Sequence, residues 1–258
     1  MNRINALFQT KPQDVLSIYF TAGHPDIGST VKILEELESN GVDMVEIGMP
    51  FSDPLADGPV IQDSDQKAIL NGMTIEKLFS HLHDIRKIIH IPLLLMGYIN
   101  PVLHFGFENF CKKCSEVGID GIILPDLPLE EFLENYKQYT DKYKLHFIFL
   151  ITPQTSEERI RLIDSLSEGF IYMVSSSSTT GIRGTFNEKH IQYFQHTKSL
   201  NLKNPLVVGF GITNRESFTL TCNYANGAII GTAFVKMLDE ENPEYKSGIT
   251  NFIRSIKQ

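Results

Sequence analysis

The stretch VEIGMPFSDPLADGP, Val45 to Pro59, begins as an apolar run and ends as a loop punctuated by proline and glycine. A strand covered on both faces reads as continuous apolar sequence, so Glu46, between Val45 and Ile47, is out of place. A carboxylate buried without a partner is costly. It faces either the mouth of a barrel or a helix layer, and the mouth is the favoured reading. Asp53 and Asp57 lie in SDP and ADG, ordinary turn chemistry in which an Asp side chain bonds its own downstream backbone. Taken alone, each reads as structural.

Seven more such runs follow one another along the chain: LSIYF (16–20), IPLLLM (91–96), DGIIL (120–124), KLHFIFLI (144–151), GFIYMV (169–174), PLVVG (205–209) and GAIIG (227–231). Each is short and continuous rather than alternating, the pattern of parallel strands. Helical patterns intervene, among them STVKILEELESNG with Ser29 or Thr30 as N-cap and Gly41 as C-cap, ENFCKKCSEVG ending at Gly118, and EEFLENYKQYTDKY. Eight strand–helix units in 258 residues imply an α/β protein of the closed (β/α)8 TIM-barrel type, with reactive groups at the C-terminal strand ends. An open doubly wound sheet is the alternative. Two helices are extra: INALFQ before the first strand, and VIQDSDQKAILNG after the second, ahead of a helix starting near Thr74. No linker interrupts the series, so residues 1–258 read as a single domain.

The net charge of −8 and the lack of a Lys/Arg tract argue against a nucleic-acid or anionic-membrane surface. Neither a signal segment nor an 18-residue apolar run is present, so the expected location is the cytoplasm. Three cysteines fit a reducing compartment. CKKC falls inside a helix and lacks two further zinc ligands, and DPLADGPVIQDSD does not match a calcium loop, so no metal site is expected. HLHDIRKIIH reads as a partly solvated helix.

The second constellation is glycine-rich. GIRG (Gly181 to Gly184), GFG (Gly209 to Gly211) and GTA (Gly231 to Ala233) follow the last three runs, where barrels commonly hold a phosphate by backbone N–H groups and a helix N-terminus. Thr232 adds a hydroxyl. Tyr19, Phe20, Met96, Tyr98, Leu124, Tyr172 and Phe210, at other strand ends, are either core or the lining of an adjoining pocket. Together these features suit a ligand with a phosphorylated tail and a flat apolar head.

VEIGMPFSDPLADGPVIQ closely resembles the signature of the tryptophan synthase α-subunit family, and FTAGHP, MGYINPV, LPDLP, STTGIRG, VGFGI and AIIGTAFVK resemble its other blocks in order. The resemblance spans nearly the whole chain. It implies a (β/α)8 barrel and a lyase that cleaves indole-3-glycerol phosphate to indole and glyceraldehyde 3-phosphate. Position by position, Glu46 and Asp57 match the catalytic acids, Tyr172 a tyrosine beside the glutamate, and Thr180 a loop threonine that bonds the aspartate on closure. Gly181, Gly211, Gly231 and Thr232 match the phosphate cradle; Ile61, Tyr98, Leu124 and Phe210 match the indole pocket. The family works as an α2β2 complex with a β subunit that carries pyridoxal phosphate; the resemblance implies no cofactor in this chain. Asp53, Pro54, Asn100 and Pro128 match the face that docks the β subunit. His24, Ser176, Ser178 and Thr179 depart from the usual pattern, most of them in the closing loop. Two readings stay beside this one: another sugar-phosphate barrel, whose acids and bases should lie on different strand ends, and a ligand-binding regulatory subunit without turnover.

Overall fold

In the computed structural model, which describes residues 1–175, 186–240 and 245–258, all eight apolar runs form strands. They are β1 (Val15–Thr21), β2 (Met44–Gly48), β3 (Leu93–Met96), β4 (Gly121–Ile123), β5 (His146–Phe147), β6 (Leu150–Ile151), β7 (Ile171–Val174), β8 (Leu206–Gly209) and β9 (Gly227–Ile230). Every pairing is parallel. The fifth run is split. The sheet order β5-β4-β3-β2-β1-β9-β8-β7-β6 puts its two halves at opposite ends of one sheet. The two residues between them join those ends. Ile148 N–H donates to Ile122 O at 2.9 Å on one side, and Phe149 O accepts from Tyr172 N–H at 2.9 Å on the other. A strand that hands its hydrogen bonds from one neighbour to the next closes the sheet into an eight-stranded barrel.

Side chains alternate across each strand, and the buried apolar residues separate accordingly. Val15, Met44, Leu94, Ile123, Ile148, Phe170 and Tyr172 fill the barrel interior. Leu16, Ile18, Val45, Ile47, Leu95, Ile122 and Leu124 pack outward against the helices. The first helix, α1 (Arg3–Thr10), adds Ile4 and Phe8 to the interior cluster. Asn2 caps it, accepting from Ile4 N–H at 2.9 Å, and its amide donates to Asp120 O at 2.8 Å. Asp120 also pairs with Arg3 and Arg86 at 3.0 and 2.6 Å, which ties α1 to the start of β4.

The second helix, α2 (Ser29–Ser39), departs from its sequence reading: its N-cap is Gly28, not Ser29 or Thr30. Both hydroxyls serve the loop before it instead. Ser29 donates to His24 O and Asp26 O at 2.9 and 2.7 Å, and Thr30 accepts from Gly23 N–H at 3.0 Å. The extra helix after β2 is α3 (Pro59–Leu70). The helix capped by Thr74 ends at His81, so His83 and His90 lie beyond it. Among the described residues no helix is long and apolar enough to cross a membrane.

Candidate active site

Glu46 stands two residues after Met44 on β2, so it shares the inward face. Its neighbours across the ladder are Tyr19 on β1 and Leu94 on β3. The side chain is fully buried, and neither carboxyl oxygen has a hydrogen-bond partner among the described residues. Desolvation penalises the charged form and pushes its pKa up to about 8, against a smaller opposing pull from the nearby Ser17 hydroxyl. The group is therefore an acid at neutral pH, aimed into the barrel.

Asp57 hangs on the loop between β2 and α3. Turn bonds shape that loop: Leu55 N–H to Asp53 O at 2.9 Å and Asp57 N–H to Pro54 O at 3.0 Å. Tyr98, just past β3, holds it from the other side. Its hydroxyl donates to Asp57 Oδ2 at 2.7 Å and accepts from Ala56 N–H at 3.0 Å, while its ring packs on Phe51 with centroids 5.2 Å apart. Burial raises the Asp57 pKa, and the Tyr98 hydrogen bond opposes the rise.

A third carboxyl, Asp65, went unassigned in the sequence reading. It is 3% exposed on α3 and accepts from Thr21 Oγ1 at 3.2 Å and, more weakly, from Phe51 N–H at 3.5 Å. Burial and the nearby Asp57 charge push its pKa up to about 7. Helical spacing carried the signal, because Ile61, Ser64, Asp65 and Ala68 form the buried face of α3.

Two tyrosines complete the floor. Desolvation keeps both phenols neutral; the charges of Asp65, Asp57 and Glu46 act on Tyr19, and those of Glu46 and Asp57 on Tyr172. Glu46 and Asp57 thus lie near both rings, and Asp65 near that of Tyr19. Glycines make room for those rings: a Cβ at Gly48 would collide with the Tyr19 ring and hydroxyl, and one at Gly209 with those of Tyr172. Neither glycine's role was visible from sequence.

Beyond β8, Phe210 takes φ +68°, unusual for a bulky residue, and Gly211 follows at φ +78°. The Ser175 hydroxyl fixes that turn by donating to Phe210 O at 2.8 Å. The Phe210 ring meets Tyr172 edge-on, 6.4 Å between centroids. Gly231 follows β9 beside Tyr19 and leads into the helix Thr232–Glu240, whose first residue is exposed. Gly211, Gly231 and Thr232 thus stand past the ends of adjacent strands. Thr180 and Gly181, with Ser176, Ser178 and Thr179, lie outside the described residues.

The remaining assignments divide. Ile61 is buried on α3. Leu124 packs in the outer layer, and Ile123 is the residue of that strand end that faces the interior; the sequence reading missed the alternation by one residue. Asp53 and Pro128 are exposed on the loops after β2 and β4, and Asn100 is exposed in the first turn of the helix Ile99–Phe105 that follows β3, whereas Pro54 is buried. Cys111 and Cys114 are buried in their helix, with burial pushing the Cys111 thiol up to about 12. Among the described residues no three His, Cys, Asp or Glu side chains gather closely enough to hold a metal ion.

A parallel (β/α)8 barrel with a buried glutamate in its interior, an aspartate on the adjoining loop and glycine turns past its last strands has the layout of a barrel enzyme, with its polar groups gathered at the C-terminal strand ends. The family described as Tryptophan synthase alpha chain matches residues 6–258, and the chain belongs to it. The tryptophan synthase alpha chain of Flavobacterium johnsoniae is 56% identical over 257 residues, covering 100% of both chains. Among solved structures, the alpha chain from Legionella pneumophila superposes with a TM-score of 0.89 at 31% identity, covering 99% of this chain and 96% of that one. Tryptophan synthase from M. tuberculosis, in an aminoacrylate-bound form, superposes with a TM-score of 0.85 at 25% identity over 100% of both chains.

Proposed function

We propose that this chain is a lyase that cleaves indole-3-glycerol phosphate to indole and glyceraldehyde 3-phosphate, the alpha reaction of tryptophan synthesis, with Glu46 and Asp57 as its catalytic groups. The observation that carries the reading is the buried carboxyl of Glu46 in the barrel interior, without a hydrogen-bond partner among the described residues and pushed by desolvation to a pKa of about 8. The bond between ring and side chain cannot break while the ring carbon is sp², because its electrons have nowhere to go. Protonation by Glu46 at that carbon gives an indolenine, which is the electron sink. Glu46, now a carboxylate, takes the proton of the adjacent side-chain hydroxyl as the carbon–carbon bond breaks. The bonding pair restores the indole ring, the hydroxyl carbon becomes the aldehyde, and Glu46 regains its proton.

Asp57 accepts from the ring N–H and stabilises the positive charge that develops there. Its pairing with Tyr98 is the state from which the loop swings to substrate, and closure keeps water out. Tyr172, supported by Phe210, borders Glu46; Thr180 bonds Asp57 on closure. Gly181, Gly211, Gly231 and Thr232 cradle the phosphate, and Ile61, Tyr98 and Phe210 line the indole side, where Ile123 serves better than Leu124 because it faces inward. Since the protonated ring is its own electron sink, the reaction asks for neither metal nor cofactor.

The partner is a β subunit carrying pyridoxal phosphate, in an α2β2 complex assembled in the cytoplasm around this one-domain barrel. Exposed Asp53, Asn100 and Pro128, which follow the adjacent strands β2, β3 and β4, support a docking face there, and Leu55, 87% exposed near Asp53, extends it with apolar surface. The test is indole release by the purified chain, alone and with β subunit, for wild type, Glu46→Gln and Asp57→Asn. Release by wild type and its loss in both variants is the expected result. No indole under either condition would overturn the reading.

A further inference from the structure

Ser17 lies between Val15 and Tyr19 on β1, both of which face the barrel interior, so it faces the same way. It is fully buried, and its hydroxyl has no hydrogen-bond partner among the described residues. An unsatisfied buried hydroxyl is costly, and the inward positions paired with Ser17 on the neighbouring strands, Met44 and Ile229, avoid that cost with apolar side chains. The second orphan of the interior is Glu46, on the adjacent strand and in register with Tyr19, two residues along from Ser17. Two unpaired groups on neighbouring strands of one face are each other's natural partner. A hydroxyl can accept from the acid and donate to the carboxylate by rotating its proton, which is what a group that gives up and regains a proton requires.

We propose that Ser17 is a positioning residue for Glu46: its hydroxyl turns to the carboxyl in both protonation states, fixes the rotamer that aims it at the ring, and stabilises the carboxylate left after proton delivery. This rests on the reading of Glu46 as the proton donor. Among the described residues the hydroxyl is the side-chain group that favours the charged form of Glu46, against desolvation. The other titratable groups facing it, Tyr19 on β1 and Tyr172 on β7, are held neutral by burial, and Asp57 acts on both of those phenols.

The experiment measures kcat and KM for indole release from below neutrality into the alkaline range in wild type, Ser17→Ala, Ser17→Thr and Glu46→Gln. Alongside it, the Glu46 carboxyl is titrated directly by NMR of glutamate labelled at its side-chain carbon. Loss of a hydrogen bond to a charged group should lower kcat in Ser17→Ala by about tenfold or more, with KM little changed. Both the basic limb of kcat and the Glu46 titration should move to higher pH, because the carboxylate has lost its donor. Ser17→Thr keeps the hydroxyl and should bring limb and titration back. A Ser17→Ala enzyme indistinguishable from wild type in kcat, limb and titration, while Glu46→Gln is inactive, overturns this proposal alone. Cleavage that survives in Glu46→Gln overturns the underlying reading of Glu46.

Discussion

Glu46 sits in an apolar interior that keeps its proton on, and among the described residues a serine is the side chain that favours its charged form. On the proposed mechanism, Glu46→Gln keeps the shape and loses both proton steps. Indole release should fall by about 10²- to 10⁴-fold, the usual worth of a positioned acid–base group, with the fold intact by circular dichroism. A fall of less than tenfold would assign the proton to another group. The glycines make a second residue-scale expectation. A methyl group at Gly209 would occupy the space of the Tyr172 ring. Gly209→Ala should therefore cost about 1–3 kcal/mol of stability through overpacking, read by urea unfolding, and should lower activity as well. An alanine variant as stable and as active as wild type would mean that the ring has room to move aside.

Elements were more legible than their junctions. Eight buried parallel strands betray themselves by continuous apolar runs, and all eight were readable because each depends only on local sequence. The break between β5 and β6 was not, since Ile148 and Phe149 change neighbours only where the barrel closes. Leu124 was misplaced for a related reason: in a continuous apolar run the alternation of faces leaves no mark, and only the pairing of Ile123 with Met96 settles which residue points inward. Both acids stood out through their motif, whereas Asp65 was hidden among ordinary turn and helix acids. The N-terminal helix α1 was legible as amphipathic but not as a plug. Ile4 is fully buried in the barrel interior, 3.1 Å from where a Cβ on Gly121 would stand. Ile4→Ala should cost about 2–5 kcal/mol, measured by urea unfolding, and a loss below 1 kcal/mol on that scale would show α1 to be a loose cover.

At the scale of the whole molecule, the buried carboxyls set how stability depends on pH. The pKa of Glu46 is raised from 4.5 to about 8, and that of Asp65 from 3.8 to about 7. In each case the native state holds a proton that the unfolded chain releases, so stability falls as pH rises between the two values. Buried His24 and His146 act with the opposite sign: their pKa values are lowered from 6.5, so the stability they contribute is present above 6.5 and lost as pH falls. Exposed Glu130, pulled down to about 2 by Arg159, acts only in acid. Well above 6.5 the lowered histidines are neutral in both states, so their contribution fades and the raised carboxyls set the sign of the slope up to about 8. Urea unfolding across that interval should show wild-type stability falling by at most about 1.4 kcal/mol per pH unit for each titrating carboxyl. Glu46→Gln should be more stable than wild type at neutral pH and should lose most of the slope; Asp65→Asn should remove its near-neutral part. A wild-type stability that is flat or rising over the interval would mean that Glu46 is ionised in the native state, and the proton on which the cleavage depends would have to come from elsewhere.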